Sequence, residues 1–268
     1  MTVDKHQMLK TAKEAAQIGG ELLLQGFGQL NRNQIGLKGM GDYVTDLDHR
    51  SEEAIIRKIK QSYPDHIIHA EESGEDSQKS PYRWLIDPLD GTANYVHNIP
   101  VYAVSIAMMI GEDIEIGVIH YPERKEMFWA VSGEGAFLNG HPIHVTSRKE
   151  MAYSMLATGF PWRSKPWINS YMDCFKDLFL KAAGLRRMGS AAIDLAYTAW
   201  GRFDGFWEMK LSPWDIAAGI LMVREAGGVV TDFRGEDNYL QSGNVVAGNP
   251  DIHRQILEVT RHHLSEIG

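Results

Sequence analysis

Asp87 and Asp90 stand three residues apart in the segment Trp84–Asn94, WLIDPLDGTAN. The apolar run Trp84, Leu85, Ile86 reads as a buried strand, so Asp87 is expected where that strand emerges. Pro88 is expected to end it. Asp90 and Gly91 then make a turn, because glycine permits backbone angles and close approaches that a side chain forbids. Thr92 is a residue type that caps a helix, and a helix start offers N–H groups to an anion. With the free carbonyl of Leu89, one short loop offers two carboxylates, a third oxygen and a cradle for phosphate. That combination points to a divalent metal plus phosphate.

Three further acidic sites fall where elements begin or end: Asp46/Asp48, Glu71/Glu72 and Asp215. Hard cations take oxygen ligands, and magnesium favours a few carboxylates, waters and substrate phosphate oxygens. Zinc would want Cys or His at tetrahedral spacing, but there is one Cys and no HExxH among the eleven His. Each acidic site alone also has a plain structural reading. Asp48 and Asp215 could be helix caps, and Glu71–Glu72 a solvated strand end. The DPLDGT segment is harder to explain that way. It fits no EF-hand, since aligning Gly91 with the loop glycine puts Ile86 and Pro88 at ligand positions. There is no Walker A loop, GxSxG elbow or nucleotide-binding GxGxxG.

Those residues need elements to position them. Met8, Ala12, Ala15, Ile18 and Leu22 recur at helical spacing over Asp4–Gln25, and Gly26 and Gly28 end that helix. Lys38, Gly39 and Gly41 read as a flexible turn before the β-prone Tyr43–Thr45. Asp46, Asp48 or Ser51 can cap a second helix carrying Ala54, Ile55, Ile56 and Ile59, which stops before Pro64. Ile67 and Ile68 begin a strand ending at Glu71 and Glu72, and SGEDSQKSP reads as a polar, mobile turn region. Val101–Met109, Ile114–His120 and Met127–Val131 read as antiparallel strands, continued by Gly133–Gly140 and His141–Thr146. Beyond a boundary at Thr146–Glu150, helices are expected at Trp167–Ala182, Ala191–Trp200, Trp214–Ala226 and Ile252–Leu264. Strands are expected at Phe203–Glu208, Val229–Asp232 and Val245–Ala247. Two α/β lobes, residues 1–146 and 147–268, would share one cleft.

The 268 residues carry a net charge of −8, which disfavours direct nucleic-acid or anionic-membrane binding. The lone Cys174 cannot form an internal disulfide and reads as a partly buried helix residue. No apolar N-terminal stretch suggests a signal peptide, and no window approaches the ~18 apolar residues of a membrane span. A cytoplasmic protein is the expectation.

Five segments in order, DYVTDLD (Asp42–Asp48), AEES (Ala70–Ser73), WLIDPLDGTANY (Trp84–Tyr95), GSAA (Gly189–Ala192) and PWDIAAGILMVREAGG (Pro213–Gly228), resemble the inositol monophosphatase family. That family belongs to the magnesium-dependent, lithium-sensitive phosphatases. FWEMKLSPWD (Phe206–Asp215) strengthens the likeness to its inositol branch. The resemblance implies a layered αβαβα fold of mixed α/β (α+β) class and a homodimer. It implies two to three Mg2+ ions: a first on Glu71, Asp87 and the Leu89 carbonyl, a second on Asp87, Asp90 and Asp215. Glu71 would help hold a weaker third through waters. Thr92, polarised by Asp48, would orient or deprotonate the attacking water, with Glu71 also in the catalytic set. Substrate contacts are implied at Asp90, Gly91, Thr92, Gly189, Ser190, Ala191, Glu208 and Asp215, Glu208 and Ala191 meeting the alcohol. Lys38 reads as a solvated lysine.

The implied activity is hydrolysis of inositol monophosphate or a related small sugar phosphate by direct in-line attack of water. The same fold could instead act on fructose 1,6-bisphosphate, histidinol phosphate, an adenosine 3′,5′-bisphosphate or NADP; the loop Thr158–Arg163 (TGFPWR) is expected to border the pocket, where Arg163 reads as a surface arginine before a contact for a second phosphate. A haloacid-dehalogenase-like phosphatase would use a nucleophilic Asp in DxDGT, whereas Asp87 and Asp90 are one residue further apart. Some bacterial relatives also act as partners of the transcription machinery, a third reading.

Overall fold

Side chains of the strand Tyr82–Asp90 alternate between two apolar layers, as a period of two requires. Trp84 and Ile86 enter one core, and Leu85 enters the other. The computed structural model describes residues 4–39, 43–160 and 165–267, together with the backbone of Asp42. Strand Tyr82–Asp90 lies inside an eight-stranded sheet. From one edge its neighbours run His141–Ile143, Gly135–Leu138, Glu126–Val131, Asp113–Tyr121, Ala103–Ile110, Tyr82–Asp90, Ile67–Ala70 and Gly74–Glu75. All neighbours pair antiparallel except Ile67–Ala70 with Tyr82–Asp90, which are parallel.

Helices Lys5–Gly26 and Asp46–Ser62 cover one face of this sheet, packing Ala12, Ala16, Leu23, Ile55 and Ile59 against Trp84, Ile86 and Ile106. Helices Ala191–Ala199 and Pro213–Glu225 cover the other, and are themselves apolar nearly all round because a second sheet lies behind them. That sheet has five strands, in the order Gly184–Arg186, Met155–Thr158, Gly205–Glu208, Val245–Gly248 and Val229–Thr231. Helices Ile168–Lys181 and Pro250–Leu264 close its outer face around Trp207, Leu156 and Tyr171. The result is a layered αβαβα architecture. Among the described residues no helix is long and apolar enough to cross a membrane.

Several expectations are corrected. The strand does not stop at Pro88 but runs on to Asp90. Thr45, not Asp46, Asp48 or Ser51, caps the second helix, its hydroxyl accepting from the Leu47 N–H. Ile35–Gly39 is a strand paired with Asp42–Thr45 where a turn was expected; Gly41 lies outside the described residues. The polar run after Glu72 contains the edge strand Gly74–Glu75. Met155–Thr158 and Gly184–Arg186, too short to show a period, went unseen. Cys174 is fully buried on its helix, and burial pushes its thiol up to about 12, so it is inert.

The sheet and the Pro213–Glu225 helix come close at Gly117, where an added Cβ would lie 2.7 Å from the Ala218 carbonyl oxygen and 2.9 Å from its Cα. Backbone cannot swing aside as a side chain can. Gly117→Ala should therefore destabilise the protein by about 1–3 kcal/mol, read as a lower urea midpoint with an unchanged slope.

Candidate active site

In the ladder between Tyr82–Asp90 and Ala103–Ile110, Asp87 pairs with Ser105 and Asp90 with Ala103. Three steps on one strand thus oppose two on the other, which is a β-bulge. The extra residue turns Asp90 onto the same face as Asp87; in a regular strand, positions three apart would point to opposite faces. Pro88 sits inside the bulge, where its missing N–H costs the ladder nothing. Leu89 points back into the opposite core, and its N–H donates to Asp87 Oδ1 at 2.9 Å.

Glu71 follows the neighbouring parallel strand, in which Ala70 is in register with Ile86. Its N–H donates to the Ile86 carbonyl at 3.1 Å, so it emerges beside Asp87. Asp215 arrives from the layer in front. It stands in the first turn of Pro213–Glu225, where the Ser212 N–H donates to its Oδ2 at 2.8 Å. The Ser105 hydroxyl, donating to the Trp214 carbonyl at 3.0 Å, pins that helix start over the bulge. Asp90 Oδ2 accepts from the Ser190 hydroxyl at 2.5 Å and the Ala192 N–H at 2.7 Å, tying the sheet to the start of Ala191–Ala199. Ser190 caps that helix as well.

The turn after Asp90 differs from the sequence expectation in one respect. Gly91, at φ 97°, is the cap, and Thr92 is the first residue of a five-residue helix, Thr92–Val96. A Cβ on Gly91 would lie 2.9 Å from the Val101 carbonyl, so glycine is required for space as well as for its backbone angle. The Thr92 hydroxyl lies 3.1 Å from Asp48 Oδ1 and 2.9 Å from the Leu89 carbonyl oxygen, both acceptors. Asp48 is buried, and its Oδ2 accepts from the Thr45 N–H at 2.8 Å and hydroxyl at 2.6 Å.

These segments enclose a cavity of about 140 Å3. Glu71, Asp87, Leu89, Asp90 and Asp215 line one side of the set, and Gly91, Thr92, Gly189, Ser190, Ala191 and Glu208 complete it. Asp48 stands behind Thr92. Asp46 is exposed and takes no part. Lys38 is exposed, as expected of a solvated lysine, and its Nζ also lies 2.6 Å from Glu72 Oε1 and 3.2 Å from Glu71 Oε1. Arg163 lies outside the described residues. Sequence reading missed Tyr43, Arg187 and Asp194 on the wall. Asp194 did leave a signal, as the one acid in the apolar helix AAIDLAYTA. Gly159, in the TGFPWR loop expected at the pocket border, does line it, and a Cβ there would overlap the Glu208 carboxylate.

Burial pushes the Asp87 carboxyl well above the ordinary range, and the charges of Glu71, Asp90 and Asp215 push it further. Asp90 is raised to about 6, burial outweighing its hydrogen bonds from Ser190 and Ala192. Glu71 is raised by burial first, with Lys38 opposing. Asp48 is raised to about 7, again mainly by burial. Among the described residues no three or more His, Cys, Asp or Glu side chains close tightly enough to enclose an ion as they stand. The donor chemistry nevertheless fits a hard divalent cation: carboxylate and carbonyl oxygens, no sulfur, and a like-charge repulsion that a cation relieves.

Residues 4–267 match the model of the inositol monophosphatase family. The chain is 44% identical over 262 residues to the Nus factor SuhB of Escherichia coli K12, covering 97% of this chain and 98% of that one. It superposes on the extragenic suppressor protein suhB of Bartonella henselae with a TM-score of 0.92 at 39% identity, over 95% of this chain and 98% of that one. The inositol monophosphatase of Anabaena (Nostoc) sp. PCC 7120 follows at 0.86 and 37% identity, over 98% and 99%.

A carboxylate whose folded pKa is raised adds stability below its unfolded pKa and loses it as pH rises through the folded value. With divalent ions chelated, Asp87→Asn should therefore raise the melting temperature by about 2–4 °C at pH 8. The gain should vanish below about pH 3, where Asp87 is mostly protonated in both states. Differential scanning calorimetry in EDTA measures it.

Proposed function

The chain belongs to the inositol monophosphatase family, and on that premise we propose that it is a magnesium-dependent phosphomonoesterase acting on inositol monophosphate or a related small sugar phosphate. One observation carries this reading: carboxylates from three separate segments, Glu71, Asp87 with Asp90, and Asp215, line one cavity beside the Gly91–Thr92 turn. Glu71, Asp87 and the Leu89 carbonyl would hold a first Mg2+, and Asp87, Asp90 and Asp215 a second, with Glu71 helping to hold a third through water. Bound there, magnesium lowers the pKa of water and neutralises charge on the phosphate and the leaving oxygen.

This chain's own residues do the rest. The Gly91 and Thr92 N–H groups hold phosphate at the helix start. Thr92 Oγ1, poised between Asp48 Oδ1 and the Leu89 oxygen, orients the attacking water, and Asp48 takes up the proton that Thr92 passes on. Glu208, Ala191, Ser190 and Gly189 receive the alcohol. The haloacid-dehalogenase-like alternative falls with the fold. Lithium sensitivity, a homodimer and a cytoplasmic location belong to the same proposal. The printed name of the Escherichia coli relative, a Nus factor, favours a second and compatible reading as a partner of the transcription machinery.

A phosphate-release screen over phosphorylated inositols, sugars and nucleotides, with and without magnesium, tests the proposal. Release from an inositol or sugar monophosphate only with magnesium is expected; release independent of magnesium overturns it. Asp87→Asn should cut kcat/KM by about 100-fold or more, since loss of even an outer metal-site group costs about 10- to 100-fold.

Asp48 must be ionised to accept a proton, so the rate should climb with pH up to about 7. Cations that neutralise nearby charge move that limb lower. Asp48→Asn should flatten it while leaving its higher-pH rate the lower of the two. A pH–rate profile of both proteins decides this.

A further inference from the structure

Water oriented by Thr92 and an alcohol received along Gly189–Ala191 must lie on opposite sides of one phosphorus for in-line attack. The two segments come from different sheets. Thr92 follows the strand Tyr82–Asp90 of the eight-stranded sheet, and Gly189 follows the strand Gly184–Arg186 of the five-stranded one. Asp90 Oδ2 is one tie between them, to Ser190 and Ala192, but a single oxygen is a pivot and leaves the angle free. Asn94 supplies a second tie. It stands on the short Thr92–Val96 helix, 7% exposed, and its Nδ2 donates to the Val101 carbonyl at 2.8 Å and to the Met188 carbonyl at 2.9 Å. An amide nitrogen has two hydrogens, and here each meets a carbonyl; the flipped amide would set its oxygen against two acceptors. Val101 leads into the strand Ala103–Ile110 and Met188 precedes Gly189, so one side chain joins three segments. The backbone leaves room for it. Gly189 stands at φ 87°, and a Cβ there would lie 2.7 Å from Asn94 Nδ2. A Cβ on Gly91 would lie 3.2 Å from the Gly189 carbonyl oxygen, so the two turns already meet backbone to backbone.

We propose that Asn94 is a positioning residue: through the Val101 and Met188 carbonyls it fixes the angle between the Gly91–Thr92 turn and the Gly189–Ala191 wall, and so holds the leaving oxygen in line with the attacking water. The inference rests on the phosphatase reading and deepens it. Asn94 does not line the cavity, so it acts only through the segments it joins. Its amide is neutral and does not titrate with the acids around it. Reaction rate depends steeply on alignment, and a side chain locked by two bonds between rigid elements is a means of holding it. Loss of Asn94 should therefore spare what the turn binds alone and impair what needs both segments.

The test compares, with magnesium present, two substrates that span both segments with an inhibitor that needs only the turn. The substrates are myo-inositol 1-phosphate and glucose 1-phosphate, and the inhibitor is inorganic phosphate. Asn94→Ala removes both bonds. It should cut kcat for the better ester about 10- to 100-fold, as a misplacement of about 1 Å does, while KM and the phosphate Ki stay within about twofold of wild type. Asn94→Ser, with one hydrogen to give, should lose less. A side chain that only stabilised the fold would lower the melting temperature and leave kcat of the folded protein unchanged. Melting curves set a temperature at which each variant is folded; if Asn94→Ala does not fold, Asn94→Ser decides. An unchanged kcat overturns the inference and leaves the phosphatase reading intact. So does a phosphate Ki that rises in step with the fall in kcat, because Asn94 would then serve the turn alone. Wild-type protein that releases phosphate from neither ester overturns both.

Discussion

Four carboxylates, Glu71, Asp87, Asp90 and Asp215, occupy one cavity and repel one another, and the rest of the structure exists to hold them there. Left to itself the repulsion would push the segments apart or drive protons onto the acids. Asp87 shows the second effect, held well above the ordinary carboxylate range. Each acid is anchored by an unrelated device. Asp87 takes the Leu89 N–H inside a bulge, Asp90 takes the helix start at Ser190 and Ala192, and Asp215 takes the Ser212 N–H of its own cap. Glu71 leans on Lys38. Preorganisation of this kind is what a charge-stabilising site requires, since nothing need rearrange when charge develops.

The anchors work only because the layers beneath them are rigid. Asp215 and Asp90 sit in different layers, and their positions relative to each other depend on how closely the Pro213–Glu225 helix approaches the sheet. Gly117 sets that approach, and the Ser105 bond to the Trp214 carbonyl fixes the helix along its axis. The apolar surroundings of both inner helices serve the site directly, because they exclude the water that would otherwise screen the charges.

Much of this was legible from residue types. The long helices and the antiparallel run from Ala103 to Ile143 show plain periodicity, and DPLDGT announces its chemistry. What escaped was the consequence of long-range pairing. Pro88 reads as a strand end because a proline breaks a ladder, but opposite the Ala103–Ser105 segment it fills a bulge. Thr92 has the composition of a cap, yet the turn needs a positive φ, and Gly91 supplies it. Lys38 lies on an edge-like strand that reads as solvated, and only the three-dimensional neighbourhood brings Glu71 and Glu72 to it. Met155–Thr158 and Gly184–Arg186 are four and three residues long, below the length at which a period of two can be told from chance.

The spacing of Asp87 and Asp90 has a geometric meaning that neither residue carries alone. On a regular strand two acids facing one pocket stand two residues apart, with one residue between them buried on the far side. Here two residues intervene, and both acids still face the pocket, so the strand must gain a residue between them. The gain does two things. It lets Leu89 plunge into the opposite core, anchoring the bulge by burial, and it leaves the Leu89 carbonyl within 2.9 Å of the Thr92 hydroxyl, at the edge of the cavity. A regular strand would have engaged that carbonyl in the ladder. The same irregularity that sets the carboxylates side by side thus frees the oxygen that links them to Thr92, which is why proline, the residue least suited to a ladder, is tolerated at the centre of the motif.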